Sequence, residues 1–343
     1  MNSGTRRQCL RVALGLSAGT LGAMSIARSA DKLQWRERAL LGFGTTLWLR
    51  AGHEDERRVE AGLDAAVQAV RHVERQMSLF DENSAVCQLN REGVLRQADP
   101  DLLRVLRLSA QIAARSAGAF DPTMQPLWRV WALAQREGRL PAASELREAR
   151  ARVDWRALRV AGQDVFLRRP GMAISLNGIA QGYAADLARA RLQAYGIEHA
   201  LLDTGEWSPL GAGPKNSPWV LGIADPRAPD TAVPEASLAS DGRAMATSSD
   251  AHTTFSADFR HHHIIDPRSG YSPTTWSSVT VVAPSCALAD GLTKVMFMAS
   301  LPQALALARQ WGVDVLLLDK AGRWHGSSGL PLRRAGSPGR LAL

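Results

Sequence analysis

The sequence predicts an α+β fold organised on a mixed sheet. Amphipathic segments with apolar residues at helical spacing are interspersed with short apolar runs of strand length. The two kinds do not follow the simple alternation of a doubly wound parallel sheet. At 343 residues, 45% hydrophobic and 22% charged, the chain has the length and balance of a soluble globular protein with a substantial core.

Residues 44–49 read as a strand. Val59, Leu63, Val67, Val70 and Met77 then recur at helical spacing and predict one long helix to about Phe80. A second helix opens at Asp99-Pro100, a capping residue followed by proline at the first helical position, and carries Leu103, Leu106 and Ile112. Ala173-Ile174-Ser175-Leu176 is strand-like and leads into a helix over 178–195, closed by Gly196. Further strand-like runs lie at 199–202, 219–223, 279–283 and 313–318, with helices at 287–299 and 302–311. The Pro- and Ala-rich stretch 224–240 reads as a loop.

The first thirty residues read as an export signal. Arg6-Arg7 precede a moderately apolar stretch, and Ala27-Arg28-Ser29-Ala30 offers small residues for cleavage. Thr5-Arg6-Arg7-Gln8-Cys9-Leu10 is similar to a twin-arginine signal. An uncleaved anchor is the rival reading, but the stretch is short for a spanning helix and rich in Gly, Ala and Ser. Residues 31–343 then form the mature domain. The segment holds four arginines and no acid, so removing it lowers the formal charge from +8 to +4. No basic run interleaved with aromatics is present, which argues against a nucleic-acid partner. Cys87 and Cys286 remain after the segment, either as one disulfide or as two separate thiols.

Three constellations carry candidate chemistry. Gly178-Ile179-Ala180-Gln181-Gly182 opens a helix, where backbone N–H groups at the positive helix end can meet phosphate oxygens. A tight turn packed on a sheet explains the same residues, and the GxGxxG spacing is absent. His261-His262-His263 is followed by the turn Asp266-Pro267-Arg268-Ser269-Gly270. Imidazole beside carboxylate suits general-base or metal chemistry, although a surface histidine run is the commoner case. Asp290 and Lys294 form an i,i+4 pair near a helix start. That is either an ordinary ion pair or a hard oxygen ligand for Mg²⁺ beside a phosphate.

In combination these segments resemble the ApbE family, the FAD:protein FMN transferases. Phe43-Gly44-Thr45 stands where such proteins have Met-Gly-Thr. Met77-Ser78-Leu79-Phe80, Ser84 and Leu89-Asn90 are similar to the family's Ser-aromatic and Ser…Asn segments. Gly118-Ala119-Phe120-Asp121-Pro122-Thr123 with Pro126-Leu127 resembles its Asp-Pro-Thr signature. The helix beginning at Gly178, Trp219, Gly222-Ile223, Asp225-Pro226, Ala246-Thr247-Ser248, His263 to Gly270, and Ala289-Asp290 follow in family order. The matched stretch runs from Gly42 to Asp319.

The resemblance implies mixed sheets flanked by helices, with a flavin cleft between two lobes. It implies Mg²⁺-dependent transfer of FMN from FAD to a threonine hydroxyl of an acceptor flavoprotein, with release of AMP. The acceptor would be an exported protein or a subunit of a membrane redox complex, and the enzyme would be periplasmic. By position, Phe43, Phe80, Asp121, Ser175 and Gln181 are expected to line the FAD site. The Gly178 carbonyl, Asp290 and the Thr293/Lys294 position surround the metal, and His263 is the candidate base, near Asp266. Three residues depart from the pattern: Ser175 stands where many relatives have Asp, Gln181 where they have Lys or Glu, and Lys294 where they have Thr. A charged ammonium has no lone pair for Mg²⁺. Either Thr293, nearly on the same helix face, presents the missing hydroxyl, or Lys294 itself meets the pyrophosphate. An FAD-holding chaperone or scavenger without transfer, and an FAD pyrophosphatase, are the alternative functions.

Overall fold

In the computed structural model, which describes residues 33–227, 236–251, 253–333 and 341–342, the chain begins with a β-hairpin. Strands β1 (Gln34–Gly42) and β2 (Thr45–His53) are joined by Phe43 and Gly44 alone. Both loop residues adopt positive φ, 50° and 78°, as a two-residue type I′ turn requires. Glycine takes that conformation freely; phenylalanine does not. The Phe43 N–H is pinned by Glu74 Oε1 at 2.8 Å. The expected export signal lies outside the described residues.

Helix α1 (Glu56–Met77) is capped by Asp55, whose carboxylate accepts from the Arg57 N–H, and buries Val59, Leu63, Val70 and Met77 along one stripe. Helix α2 (Ala85–Glu92) runs from a Ser84 cap to a left-handed Gly93, before strand β3 (Val94–Leu95). Helix α3 (Pro100–Arg115) has the Asp99 cap and N-terminal proline that the sequence predicts. Helices α4 (Gln125–Arg136) and α5 (Ala143–Arg150) and strands β4 (Leu158–Ala161) and β5 (Asp164–Leu167) follow. Helix α6 (Ala180–Ala194) then leads to β6 (His199–Asp203), β7 (Trp207–Leu210), β8 (Val220–Ile223), β9 (Ala236–Ala239) and β10 (Ala244–Ser249). After β11 (Trp276–Ala283) come α7 (Cys286–Phe297), α8 (Leu301–Trp311), β12 (Asp314–Asp319) and β13 (Trp324–Gly326). Strands β14 (Leu332–Arg333) and β15 (Leu341–Ala342) complete the described chain.

A nine-stranded sheet, in the order β1-β2-β6-β7-β10-β11-β12-β13-β15, organises these elements. Its neighbours are antiparallel except the β13–β15 pair, so the sheet is mixed. Alternation along the strands assigns its two faces. Leu202, Ala246, Val281 and Leu317 join the core beneath the helices, whereas Leu201, Met245, Val282 and Leu316 join a second core. The small sheet β14-β9-β8 packs over that second face through Leu221, Ile223 and Leu238. Helix α7 lies against β10 and β11, and α6 packs between α1 and α7.

The structure departs from the sequence reading in definite places. Polar or short strands such as β1, β7 and β10, which carry no clear apolar run, were not read, and neither were helices α2, α4 and α5. Residues 236–239, within the expected loop, form β9. Ala173 to Leu176 is no strand beyond a single bridge from Ala173 to Met124. Its backbone groups go elsewhere: the Asn90 amide brackets Ile174, donating to its carbonyl at 2.9 Å and accepting from its N–H at 2.6 Å. The Ser175 N–H donates to the Pro122 carbonyl at 2.8 Å.

Helices α6 and α7 meet at Gly182. A Cβ built there would fall 2.4 Å from the Cys286 carbonyl oxygen, a backbone atom that cannot rotate aside. Gly182→Ala should therefore force the helices apart and cost about 2–3 kcal/mol, as overpacking does. Urea unfolding checks this; no loss, or the gain of up to about 1 kcal/mol that alanine brings at an open helix position, would show that the crossing is not tight.

Candidate active site

The contact at Gly182 brings the chemistry-bearing residues together. Gly182 is the third residue of α6, so its N–H has no acceptor within the helix. It donates instead to Asp290 Oδ2 at 3.2 Å. Asp186, one turn along α6, returns the contact by accepting from the Cys286 and Ala287 N–H groups at 2.7 and 2.9 Å. Each helix thus satisfies the N-terminal amides of the other.

Asp290 is 1% exposed, and its Oδ1 is bound by the Lys294 ammonium. Lys294 also donates to the Asp290 carbonyl at 3.2 Å. Its side chain is 22% exposed, so the ammonium stands between the buried carboxylate and solvent. Gly178 flanks the lysine stem: a Cβ there would approach Lys294 Cε to 3.1 Å and Phe120 Cε2 to 3.6 Å. Thr293 faces the other way. Its hydroxyl donates to the Asp290 carbonyl at 2.7 Å and shares a 2.7 Å hydrogen bond with Ser248 on β10.

Further acids surround this pair. Burial lifts Asp186 to about 6, against the two amide hydrogen bonds that would lower it. Asp203, accepting from the Gly205 N–H at 2.9 Å, is likewise pushed up to about 6 by burial. Glu206 sits well above the usual carboxylate range, first because it is buried and then because Asp290 is close, with Lys294 opposing. Its Oε2 accepts from the Thr247 N–H at 2.9 Å. The sequence reading missed Asp203 and Glu206, since acids in the β6–β7 turn look like ordinary hairpin chemistry. Their signal was position, at and just after the end of a strand whose middle, Ala200-Leu201-Leu202, is apolar.

The residues expected at the flavin site, with Gly178 expected at the metal, fall in two groups. Ser175, Gly178 and Gln181 lie on the segment that enters α6, and Asp121 is tied to it through Pro122 and Ser175. Gln181 donates to the Thr204 carbonyl at 3.0 Å and its own carbonyl accepts from the Thr204 hydroxyl at 2.8 Å. Asp121 accepts from the Thr123 N–H and hydroxyl and from the Trp155 N–H, yet burial still raises its pKa. It borders a cavity of about 290 Å³ with Gly118, Trp155, Arg150, Arg169 and Arg268. Phe43 lies at the hairpin tip, and Phe80 is 66% exposed after α1. The Ile179 and Ala180 N–H groups turn back to Leu176. Gly178 and Gln181 keep the backbone donors of this turn that have no acceptor among the described residues.

His263 is held by Thr253, whose carbonyl lies 3.2 Å from its Nδ1 and accepts from its N–H at 2.9 Å. Asp266 is engaged by the Arg268 guanidinium at 2.8–2.9 Å. The fully buried member of the triplet is His262, set against Pro273 and lowered to about 4 by burial. Cys87 and Cys286 are both free.

A family model described as "ApbE family" matches residues 43–317. The chain belongs to the ApbE family. It is similar to the FAD:protein FMN transferase of Treponema pallidum, 27% identical over 95% of this chain and 96% of that one. A Klebsiella pneumoniae protein of the same name is 29% identical over 78% of this chain and 79% of its own length. Among solved structures, the ApbE protein of Thermotoga maritima superposes with a TM-score of 0.77 at 26% identity, covering 86% of this chain and 97% of that chain. The apo flavinyl transferase ApbE of Pseudomonas stutzeri gives 0.74 at 26% identity, covering 88% and 94%.

The family resemblance implies Mg²⁺, and the donor set at Asp290 does not suit it. Each carboxylate oxygen already accepts a hydrogen bond, Oδ1 from the Lys294 ammonium and Oδ2 from the Gly182 N–H, and the Thr293 hydroxyl is turned into the sheet. Lodging a divalent ion beside the Lys294 ammonium would add repulsion: two unit charges 4 Å apart interact by about 4 kcal/mol at an effective dielectric of ~20, and a divalent neighbour doubles that. Elsewhere, His72, Asp99 and Asp101 cluster at the surface, but Asp99 caps α3 and Asp101 is held by Arg104 and Tyr183.

Asp186 generates a pH prediction. Its folded pKa of about 6 exceeds the ordinary 3.8, so the folded state binds its proton more tightly than the unfolded chain. This group therefore favours folding at low pH, and that advantage is lost as pH rises through about 6. Asp186→Asn should unfold with a flatter dependence on pH between about 4 and 6 than wild type. Urea titrations across that window test it, and an unchanged slope would mean that Asp186 ionises like an exposed carboxylate.

Proposed function

We propose that this protein transfers FMN from FAD to a threonine hydroxyl of an acceptor protein, releasing AMP. Family membership across residues 43–317 carries the reading, and the names of the relatives supply the reaction. In this reading the exposed Phe80 ring and Phe43 cover the flavin, while Asp121, Ser175 and Gln181 hold FAD from the α6 side. The Gly178 and Gln181 amides at the α6 N-terminus suit a phosphate oxygen.

The acceptor hydroxyl oxygen attacks the FMN phosphorus. The bond from that phosphorus to the bridging oxygen breaks, and AMP leaves with the electron pair. His263 takes the hydroxyl proton on Nε2, since Nδ1 faces the Thr253 carbonyl. Positioning and charge stabilisation supply most of the rate in such transfers. Mg²⁺ dependence is the expectation that the family resemblance brings. It sits poorly with the Lys294-bound Asp290, so no step above passes through a metal.

Arg6-Arg7 and the apolar stretch that follows support export to the periplasm by the twin-arginine route. An exported flavoprotein or a subunit of a membrane redox complex is then the natural acceptor.

Incubation with FAD and a threonine-bearing acceptor should add an FMN mass to the acceptor and release AMP in equal amount. AMP and free FMN without an adduct would indicate hydrolysis, and FAD binding without turnover a carrier. Asp290→Asn keeps an acceptor for the Gly182 N–H but removes the charge beneath Lys294, and should slow AMP release about a hundredfold. Unaltered turnover in a folded variant would remove Asp290 from the site.

A further inference from the structure

We propose that the Lys294 ammonium replaces a divalent cation at the FAD pyrophosphate, so that this enzyme binds and cleaves FAD without a metal. The inference deepens the function proposed above and rests on it. Its basis is the order of the groups from the interior outward. Asp290 is 1% exposed and Lys294 22% exposed, so an anion entering the site meets the ammonium first and the carboxylate only behind it.

The geometry leaves the ammonium one donor to give. Of its three N–H bonds, one goes to Asp290 Oδ1 and one points at the Asp290 carbonyl, 3.2 Å away. The third is available to a phosphate oxygen. Both anchors are fixed from behind. The Gly182 N–H holds Oδ2, and the Thr293 hydroxyl donates to the same carbonyl that Lys294 uses. The lysine stem is confined by Gly178, where any Cβ would stand 3.1 Å from Cε. The Gly178 amide, one of the two unpaired donors at the α6 entrance, is thereby beside the ammonium. A cation and helix-entrance amides together form an anion site from this chain alone.

In the transfer step charge accumulates on the bridging oxygen as its bond to the FMN phosphorus breaks. A lysine contact at that oxygen or its neighbours stabilises the departing AMP phosphate, and Lys294 keeps its proton throughout. The hydroxyl proton still goes to His263, so atoms and charge balance without a metal.

FAD binding, followed by flavin fluorescence with riboflavin as the phosphate-free control, provides the test. Wild type should bind FAD equally well, within about twofold, in EDTA and in excess Mg²⁺, and should release AMP in both. Lys294→Met should weaken FAD about tenfold or more under both conditions and leave riboflavin unchanged. Lys294→Arg, which keeps the charge, should retain FAD binding without metal. Lys294→Thr should bind FAD tightly only with Mg²⁺, and Mn²⁺ should then give a bound-ion paramagnetic signal absent from wild type. The proposal is overturned if chelation weakens wild-type FAD binding about tenfold, or if Lys294→Met weakens riboflavin as much as FAD. Failure of wild type to bind FAD in any condition would instead overturn the function on which it rests.

Discussion

The close crossing of α6 and α7 at Gly182 is the constraint on which the rest of the site depends. Only a residue without a Cβ lets the α6 backbone come this near to the Cys286 carbonyl. That approach allows the exchange of caps, with Asp290 of α7 on the Gly182 N–H and Asp186 of α6 on the Cys286 and Ala287 N–H groups. Gly182 and Asp186 are four residues apart, as are Cys286 and Asp290, so each helix offers a single face to the other. The Gly182, Cys286 and Ala287 amides are all satisfied at this contact, and both carboxylates lie at a positive helix end.

The reciprocal arrangement concentrates negative charge, and burial sets how much of it persists. Asp186, Asp203 and Glu206 are all raised by desolvation. Proximity to Asp290 adds to the shift at Glu206, whereas Lys294 works against it. The balance reached is one ion pair ringed by carboxyl groups that hold their protons more readily than usual. Glu206, held well above the usual range, competes less with Asp290 for the ammonium than an ordinary carboxylate would, whereas Asp186 and Asp203, at about 6, give up their protons just below neutral pH.

The helices legible in the sequence, α1, α3, α6, α7 and α8, have local signals, whereas α2, α4 and α5 were not read. The Asp99-Pro100 start of α3 and the Gly196 stop after α6 are set by capping chemistry, and the structure contains both. Strands were less legible because their partners are distant. β1, with Trp35, Arg36, Glu37 and Arg38, is too polar to announce itself, and β10 is a run of small residues whose burial comes from α7 and β11. Ala173 to Leu176 failed in the opposite sense. Its apolar pattern suits a strand, but the side chain of Asn90, far away in sequence, takes the hydrogen bonds of Ile174. The site was legible where spacing carries meaning, as in Asp290 and Lys294. It was illegible at Glu206, whose character comes from burial under β10 and not from its own turn.

One residue of helical rotation decides what the site can bind. Residues three and four places beyond Asp290 flank its direction on α7, about 60° to one side and 40° to the other. The structure sends Thr293 toward the sheet, where Ser248 fixes it, and Lys294 toward the entrance beside Gly178. Had the hydroxyl stood at the entrance, the buried carboxylate would have faced a cleft with oxygen ligands on two sides, the preference of a hard divalent ion. With the hydroxyl turned inward, Asp290 instead becomes the counter-ion of a tethered cation. The same carboxylate thus serves opposite electrostatic ends according to which neighbour the helix turns outward, and its presence alone does not specify a metal.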